Sequence, residues 1–167
     1  MRSIFGVLVC GAVLCAVSCK KDEGADLTAG EPMIQVSGVP VYNDNLGFLD
    51  GFVRGVSPGN HYVAVYLNVG GWWTKPYWNE PKTVIAGNGN WACDVVTGGI
   101  DEQATGYAAF LLPSDYYPPG LGGGGIPAVI YDYAIDSTFV VRNENGHSPL
   151  ERPTQVAIVS LTQEGNL

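Results

Sequence analysis

Three of the chain's four tryptophans lie in one stretch of twelve residues, GGWWTKPYWNEP, at positions 70–81. Aromatic rings kept on a surface can stack against the apolar face of a sugar ring, while polar neighbours bond its hydroxyl groups. On this hypothesis the stacking residues are Trp73, Tyr77 and Trp78. The hydrogen-bonding rim is then Lys75, Asn79 and Glu80.

The alternative is that the same cluster is hydrophobic core that closes one end of a β-sandwich. Neighbouring residues of an extended chain point to opposite faces, so Trp72 and Trp73 cannot both enter one core layer. Two flanking prolines interrupt any strand ladder and place Tyr77 and Trp78 in an edge or a loop. We therefore expect one tryptophan inside as an anchor and a smaller aromatic set outside.

Catalytic chemistry finds little support in the sequence. A glycosidase needs two carboxylates about 5–10 Å apart across a cleft, and a chain with 16 acids supplies such pairs by chance. A serine hydrolase is not indicated, because the only histidines are His61 and His147 and no G-x-S-x-G motif is present. The same histidines are too few for a zinc site. The sequence thus predicts no catalytic residues.

Calcium is the one metal for which the sequence offers candidate ligands. The segment TGGIDEQAT, positions 97–105, brings Asp101 and Glu102 next to a glycine turn with free carbonyl groups, and oxygen ligands suit Ca²⁺. The spacing is not that of an EF-hand. The simpler interpretation is that Asp101 caps the glycine turn, or caps the N-terminus of a short helical turn through Glu102 and Gln103.

The front of the chain has the features of a secretory signal. One positive charge at Arg2 precedes an uncharged apolar run at positions 3–18, which is too short to span a bilayer comfortably. The run ends in LCAVSC, which resembles a bacterial lipobox and implies cleavage before Cys19 and lipidation of its thiol. A plain signal peptide with an incidental cysteine is the alternative. Lipidation would anchor the protein to a membrane of the cell envelope.

A polar spacer is predicted at positions 19–31, between the lipid anchor and a domain at positions 32–167. It begins KKDE after Cys19, and a lysine followed by two acids there resembles the surface-export signal of Bacteroidota lipoproteins. We therefore expect attachment to the outer membrane, with exposure at the cell surface.

Charge limits the partners of the mature chain. Removing positions 1–18 takes one of the 8 basic residues and none of the acids, which leaves 7 against 16 and a formal charge of −9. Such a chain repels nucleic-acid phosphates and anionic lipid, so neutral or cationic partners are expected. Cys93 is the only remaining thiol of the domain, and we expect it to be a small buried residue rather than a nucleophile.

The domain is predicted to be all-β, an antiparallel immunoglobulin-like sandwich of about 7–8 strands. Apolar segments of strand length are separated by turn signals, and no window has a helical apolar stripe. In HYVAVYLNV, positions 61–69, both faces are apolar, which indicates a central strand. The other predicted strand segments are 33–39, 48–56, 83–96, 105–113, 137–143 and 154–161.

Two segments rich in turn residues carry specific expectations. Asn88, Gly89 and Asn90 accept positive φ and predict a hairpin within positions 83–96. The segment PPGLGGGGIP at positions 118–127 has low complexity and is expected to be a mobile surface loop, since it lacks the lysine and the helix of a phosphate-binding loop.

Three long motifs give the chain a family resemblance. WWTKP, TGGIDEQAT and AAFLLPSDYYPPG resemble an extracellular bacterial β-sandwich module that occurs alone or beside glycoside hydrolase domains, over positions 35–142. The resemblance implies a β-sandwich carried by a bacterial lipoprotein, without fixing a function. The chain departs from the module in having Asn88-Gly89-Asn90 in place of an Asp-Gly turn, and in continuing past Arg142. The functional expectation is a non-catalytic domain that binds carbohydrate or a glycan-bearing partner; the alternative is a structural or protein-interaction lipoprotein whose aromatic cluster is core.

Overall fold

A computed structural model describes residues 27–150, with side chains for residues 27–146. The predicted signal peptide at positions 1–18, the predicted lipid attachment at Cys19 and the predicted strand at positions 154–161 lie outside the described residues. Within residues 27–150, no helix has the length and apolar character needed to cross a membrane.

Ten β-strands and one short helix make up this part of the chain. The strands are β1 (Met33–Gly38), β2 (Phe48–Arg54), β3 (His61–Asn68), β4 (Trp72–Lys75), β5 (Thr83–Val84), β6 (Asn90–Asp94), β7 (Gly106–Pro113), β8 (Gly122–Gly124), β9 (Asp136–Asn143) and β10 (Gly146–Leu150). The helix is α1 (Val129–Tyr133), and two 3₁₀ turns cover Pro58–Asn60 and Asp101–Gln103.

The strands form two antiparallel sheets, which confirms the predicted antiparallel β-sandwich. The smaller sheet has the order β1-β2-β6, and the larger has the order β10-β9-β7-β3-β4-β8. The short strand β5 pairs with β3 beyond the residues that pair with β4. The strands outnumber the predicted 7–8 partly because β4, β5 and β8 are only two to four residues long, too short to be recognised in the sequence as separate strands.

Strand β3 is buried on both faces, as its apolar alternation predicts. Its residues Val63, Val65 and Leu67 join the core between the two sheets. The alternate residues Tyr62 and Tyr66 join a second core on the outer face of the larger sheet. That second core is covered by the segment 116–134, which includes α1. The larger sheet is therefore the middle one of three layers.

The predicted hairpin at positions 83–96 is wrong in its pairing. The turn exists, with Gly89 at φ 85 and hydrogen bonds from Ala86 N to Asn90 O and from Gly89 N to Ala86 O, both 2.8 Å long. However, β5 pairs with β3 in the larger sheet, whereas β6 pairs with β2 in the smaller one. The turn thus carries the chain from one sheet to the other, because pairing is decided by packing and not by local turn chemistry.

The glycine-rich segment at positions 118–127 is not the shapeless loop that was predicted. Gly122–Gly124 form β8, which pairs with Trp72 and Trp73 of β4 at the edge of the larger sheet. Leu121 is buried and is bonded to Thr74 through both its N–H and its C=O. The rings of Trp73 in β4 and of Trp78 in the loop after β4 lie on these glycines. These contacts and the pairing with β4 explain why a segment with so few side chains has a fixed place.

Hydrogen bonds attach the first described residue, which belongs to the predicted spacer, to the domain. The carbonyl oxygen of Leu27 accepts hydrogen bonds from the N–H groups of Gly55 (2.6 Å) and Val56 (3.2 Å). The last residues of the predicted spacer are therefore attached to the end of β2.

Cys93 is buried, as predicted. Burial raises the pKa of its thiol to about 12, and the thiol is therefore neutral and unreactive at physiological pH.

Candidate functional site

The loop that follows β4 places three aromatic rings at the surface. Trp72 points inward and is 5% exposed, while its neighbour Trp73 is 37% exposed, so the predicted division between the two is confirmed. Tyr77 and Trp78 are 50% and 60% exposed. We call Trp73, Tyr77 and Trp78 the aromatic patch. Because three of the four rings of the cluster lie at the surface, the alternative that places the cluster in the hydrophobic core is correct for Trp72 only.

Trp72 is the anchor of this region. Its ring packs edge-to-face on Phe139 of β9, with centroids 6.4 Å apart, within the outer core of the larger sheet. This contact fixes β4 against the layer beneath. The alternation along β4 then directs the next residue, Trp73, to the opposite face.

Two rings of the aromatic patch lie on the glycine strand β8. A Cβ atom at Gly122 would come within 2.5 Å of Trp78 Cζ2, and one at Gly123 within 3.1 Å of Trp73 Cζ2. Gly122 is paired directly with Trp73, and paired residues of antiparallel strands project to the same face. The Trp78 ring therefore fills the place of the missing Gly122 side chain, beside Trp73.

Hydrogen bonds hold the loop and one ring in position. Trp73 Nε1 donates to the carbonyl oxygen of Val69 at 3.2 Å. The loop closes as a turn in which Glu80 N donates to Tyr77 O at 3.1 Å. Trp78 and Asn79 are the central residues of this turn, and the side chains of Asn79 and Glu80 are exposed as the predicted rim requires.

Lys75 does not belong to the rim, contrary to the sequence prediction. It is 5% exposed, and its ammonium group forms a buried ion pair with Asp101 and a 3.0 Å hydrogen bond to Thr97 Oγ1. The hydroxyl of Thr97 in turn donates to the carbonyl oxygen of Pro76 at 3.1 Å. Lys75 therefore joins the base of the aromatic loop to the segment 97–101. The prediction failed because the desolvation penalty of burying this lysine is offset by a carboxylate that is distant in the sequence and is brought close only by folding.

The weak calcium candidates Asp101 and Glu102 do not form a cation site. Asp101 Oδ2 is paired with the Lys75 ammonium and accepts the N–H groups of Thr97 (2.9 Å) and Gly98 (3.0 Å). The carbonyl of Glu102 accepts from Arg142 at 2.8 Å and from Asn43 at 2.9 Å. The carboxylate of Asp101 therefore caps the glycine turn, as the simpler interpretation predicts. It does not cap the 3₁₀ turn Asp101–Gln103, of which Asp101 is the first residue and which has no side-chain cap. Among the described residues, no three His, Cys, Asp or Glu side chains are grouped as metal ligands.

A second exposed aromatic group lies on the segment that covers the outer core, and the sequence analysis did not single it out. The rings of Tyr116 and Tyr133 stack with centroids 4.1 Å apart and an interplanar angle of 18°. Tyr117 is 60% exposed and Tyr133 50% exposed. We call Tyr116, Tyr117 and Tyr133 the tyrosine patch. The local signals were the pairs of tyrosines in SDYYPPG and YDY, but only the fold brings Tyr133 onto Tyr116.

Lys82 attaches the second end of the aromatic loop to the segment that carries Tyr117. Its ammonium group lies 4.6 Å from the Tyr62 ring centroid and 5.5 Å from that of Tyr117. It also donates to the carbonyl oxygen of Ser114 at 2.8 Å. Lys82 follows the turn that carries the aromatic patch, so the loop is attached at both ends, by Lys75 and by Lys82.

Comparison with known proteins adds no family to this description. No family model, curated protein or solved structure matches the chain. The likeness of its motifs to the extracellular module therefore stays a prediction.

Proposed function

We propose that the domain is a non-catalytic carbohydrate-binding domain of a lipid-anchored protein of the cell envelope. The observation that carries this proposal is the aromatic patch, in which three large rings are exposed and two of them are supported by a strand of glycines. An exposed ring stays in one orientation only if neighbouring atoms pack against it. A ring that is already fixed loses less conformational entropy when a ligand binds.

The patch has the chemistry that a sugar ring requires. Indole and phenol rings offer flat apolar faces for the C–H groups of a pyranose. Asn79 supplies an amide donor and acceptor, and Glu80 supplies acceptors for hydroxyl groups. With Lys75 buried, the rim carries no free cation of its own, so a neutral glycan fits it better than a sulfated or uronic one.

The aromatic patch lies far from the point where the first described residue is attached to the domain. Leu27 is bonded next to the end of β2, close to the residues that lead into β3 at His61. Trp73 pairs with Leu67 at the far end of β3, about 20 Å further along at 3.3 Å per residue. Trp73 therefore lies at the end of β3 opposite to the end near which Leu27 is attached.

Affinity electrophoresis in gels that contain neutral polysaccharides tests the proposal. The panel is starch, xylan, galactomannan and mixed-linkage β-glucan, with a sulfated glycan as the anionic comparison. We expect retardation by at least one neutral polymer and loss of that retardation in Trp73→Ala and Trp78→Ala. Phe48→Ala is the matched control, because it removes a ring that is 59% exposed elsewhere on the surface.

A protein partner is the second candidate, and one observation favours it. Val41, Leu46 and Phe48 are 72%, 83% and 59% exposed within one short stretch of chain, which is a larger apolar exposure than isolated surface residues give. If no polysaccharide retards the wild-type protein, the glycan proposal is wrong and this surface becomes the leading site.

A further inference from the structure

Two sequence motifs that lie apart in the chain meet at the base of the aromatic loop. WWTKP contributes Lys75 and Pro76, and TGGIDEQAT contributes Thr97 and Asp101. Lys75 Nζ donates to Thr97 Oγ1 at 3.0 Å and forms the buried ion pair with Asp101. Thr97 Oγ1 lies 3.1 Å from the carbonyl oxygen of Pro76. The side chain of Thr97 is therefore the point at which the second motif reaches the backbone of the loop.

The backbone of Thr97 is itself fixed by the buried carboxylate. Its N–H group donates to Asp101 Oδ2 at 2.9 Å, and the next N–H group, of Gly98, donates to the same oxygen at 3.0 Å. Asp101 is 6% exposed and Lys75 is 5% exposed, so these bonds form away from bulk water, where a hydrogen bond is electrostatically stronger. The Thr97 hydroxyl thus has a defined position before any ligand binds.

The single proton of the Thr97 hydroxyl has two acceptors within reach, Pro76 O at 3.1 Å and Asp101 Oδ2 at 3.4 Å. Asp101 Oδ2 already accepts the Lys75 ammonium and two backbone N–H groups. The shorter distance and this prior use of the carboxylate direct the proton to Pro76 O. The ammonium group that donates to Thr97 Oγ1 also polarises the hydroxyl and so strengthens it as a donor.

Tyr77 is the ring of the aromatic patch that this bond affects most directly. Trp73 and Trp78 lie on the glycine strand β8, whereas the direction of the half-exposed Tyr77 is set by the backbone on either side of it. The peptide unit before Tyr77 contains the Pro76 carbonyl, which Thr97 holds. The peptide unit after it contains the Tyr77 carbonyl, which accepts from Glu80 N at 3.1 Å. Because peptide units are planar, fixing both of them fixes the Cα–Cβ bond of Tyr77.

We propose that Thr97 is a positioning residue of the glycan site, because its hydroxyl holds the peptide unit before Tyr77, and thereby the Tyr77 ring, in the orientation that stacks on a sugar. This inference rests on the proposed function of the aromatic patch. A ring that is already oriented loses less conformational entropy on binding, so loss of the hydroxyl weakens binding although Thr97 acts only through Tyr77. Thr97→Ser keeps the hydroxyl, whereas Thr97→Val replaces it with a methyl group.

A double-mutant cycle measured by affinity electrophoresis tests this inference, in gels that contain starch, xylan, galactomannan or mixed-linkage β-glucan. With a polymer that retards the wild type, we expect about tenfold weaker binding by Tyr77→Ala and about fivefold weaker binding by Thr97→Val. Thr97→Ser should bind within about twofold of the wild type. The double variant Thr97→Val/Tyr77→Ala should bind no more weakly than Tyr77→Ala alone, because a residue that acts through another is not additive with it. Thr138→Val, at a partly buried threonine of β9, is the matched control.

The proton resonances of the Tyr77 ring give a second readout, which needs no ligand. Thr97→Val should shift them, whereas Thr97→Ser and Thr138→Val should leave them close to their wild-type positions. Three results would each overturn the inference and leave the proposed function standing: unmoved Tyr77 resonances in Thr97→Val, wild-type binding by that variant, or effects of the two single variants that multiply in the double variant. If no neutral polysaccharide retards the wild type, the proposed function is wrong and the role of Thr97 in binding fails with it.

Discussion

Lys75 and Asp101, 26 residues apart in the chain, form an ion pair that is buried at the base of the aromatic loop, with side chains 6% and 8% exposed. The pair is extended by Thr97, which contacts both side chains and the carbonyl of Pro76. A buried ion pair therefore helps to attach the loop to the sandwich, in addition to the packing of Trp73 and Trp78 on β8. Loss of either partner would leave the other charge buried and uncompensated.

Replacement of the lysine is expected to destabilise the whole domain. Lys75→Met should lower the free energy of unfolding by about 3–5 kcal/mol, because the carboxylate of Asp101 then stays buried without a cation. Urea denaturation measures this. Arg54→Met removes an exposed cation from β2 and should change the stability by less than about 0.5 kcal/mol. Equal effects of the two variants would show that the ion pair is not structural.

A methyl group on the glycine strand should displace one tryptophan without unfolding the domain. In Gly122→Ala the new Cβ would lie 2.5 Å from Trp78 Cζ2, and the exposed ring can move away at low cost. We expect a shifted Trp78 indole N–H resonance and weaker glycan binding, with a stability change below about 1 kcal/mol. Gly124→Ala is the matched control, since its Cβ would meet nothing within 4 Å. An unmoved Trp78 resonance in Gly122→Ala would refute the proposed support of this ring.

A conservative change at Arg142 should be costly. Its guanidinium group is buried, and it donates to the carbonyl oxygens of four residues: Pro40, Val41, Ala104 and Glu102. Burial lowers its pKa, and the rings of Tyr42 and Tyr107 lie 5.4 and 5.2 Å away. A lysine has three donors and no planar fork, so Arg142→Lys should cost about 2–4 kcal/mol. Thermal unfolding compared with Arg54→Lys measures the difference, and similar melting temperatures would contradict the prediction.

The buried thiol predicts a particular dependence of stability on pH. Burial raises the pKa of Cys93 from 9.0 to about 12, so the unfolded chain loses this proton at lower pH than the folded one. The contribution is fully present below pH 9 and is lost as pH rises from about 9 to about 12. Urea titrations of the wild type and of Cys93→Ala should therefore converge in that range. Rapid native reaction of Cys93 with a thiol reagent at pH 7 would contradict its burial.

The sequence predicts the parts of the fold that depend on local alternation. β3 is apolar on both faces and is central, and Trp72 and Trp73 separate to opposite sides of β4 because neighbours in a strand must. Asp101 was expected to cap the glycine turn, and its carboxylate accepts the N–H groups of Thr97 and Gly98. In each case the residue types within a few positions carry the information.

The remaining features depend on contacts between distant segments. Lys75 is buried because Asp101 reaches it, and the glycine run has a fixed shape because Trp73 and Trp78 lie on it. The turn at Asn88–Asn90 could be predicted, but not that its two arms enter different sheets. The tyrosine patch depends on α1 bringing Tyr133 onto Tyr116, which no spacing along the chain reveals.

The central claim is that exposed, supported tryptophans bind neutral glycans. Isothermal titration of the purified protein with the neutral polysaccharide that retards it most is the most direct measurement. We predict saturable binding by the wild type, at least about tenfold weaker binding by Trp78→Ala, and unchanged binding by Phe48→Ala. No binding heat with any neutral polysaccharide, or wild-type affinity in Trp78→Ala, would contradict the claim.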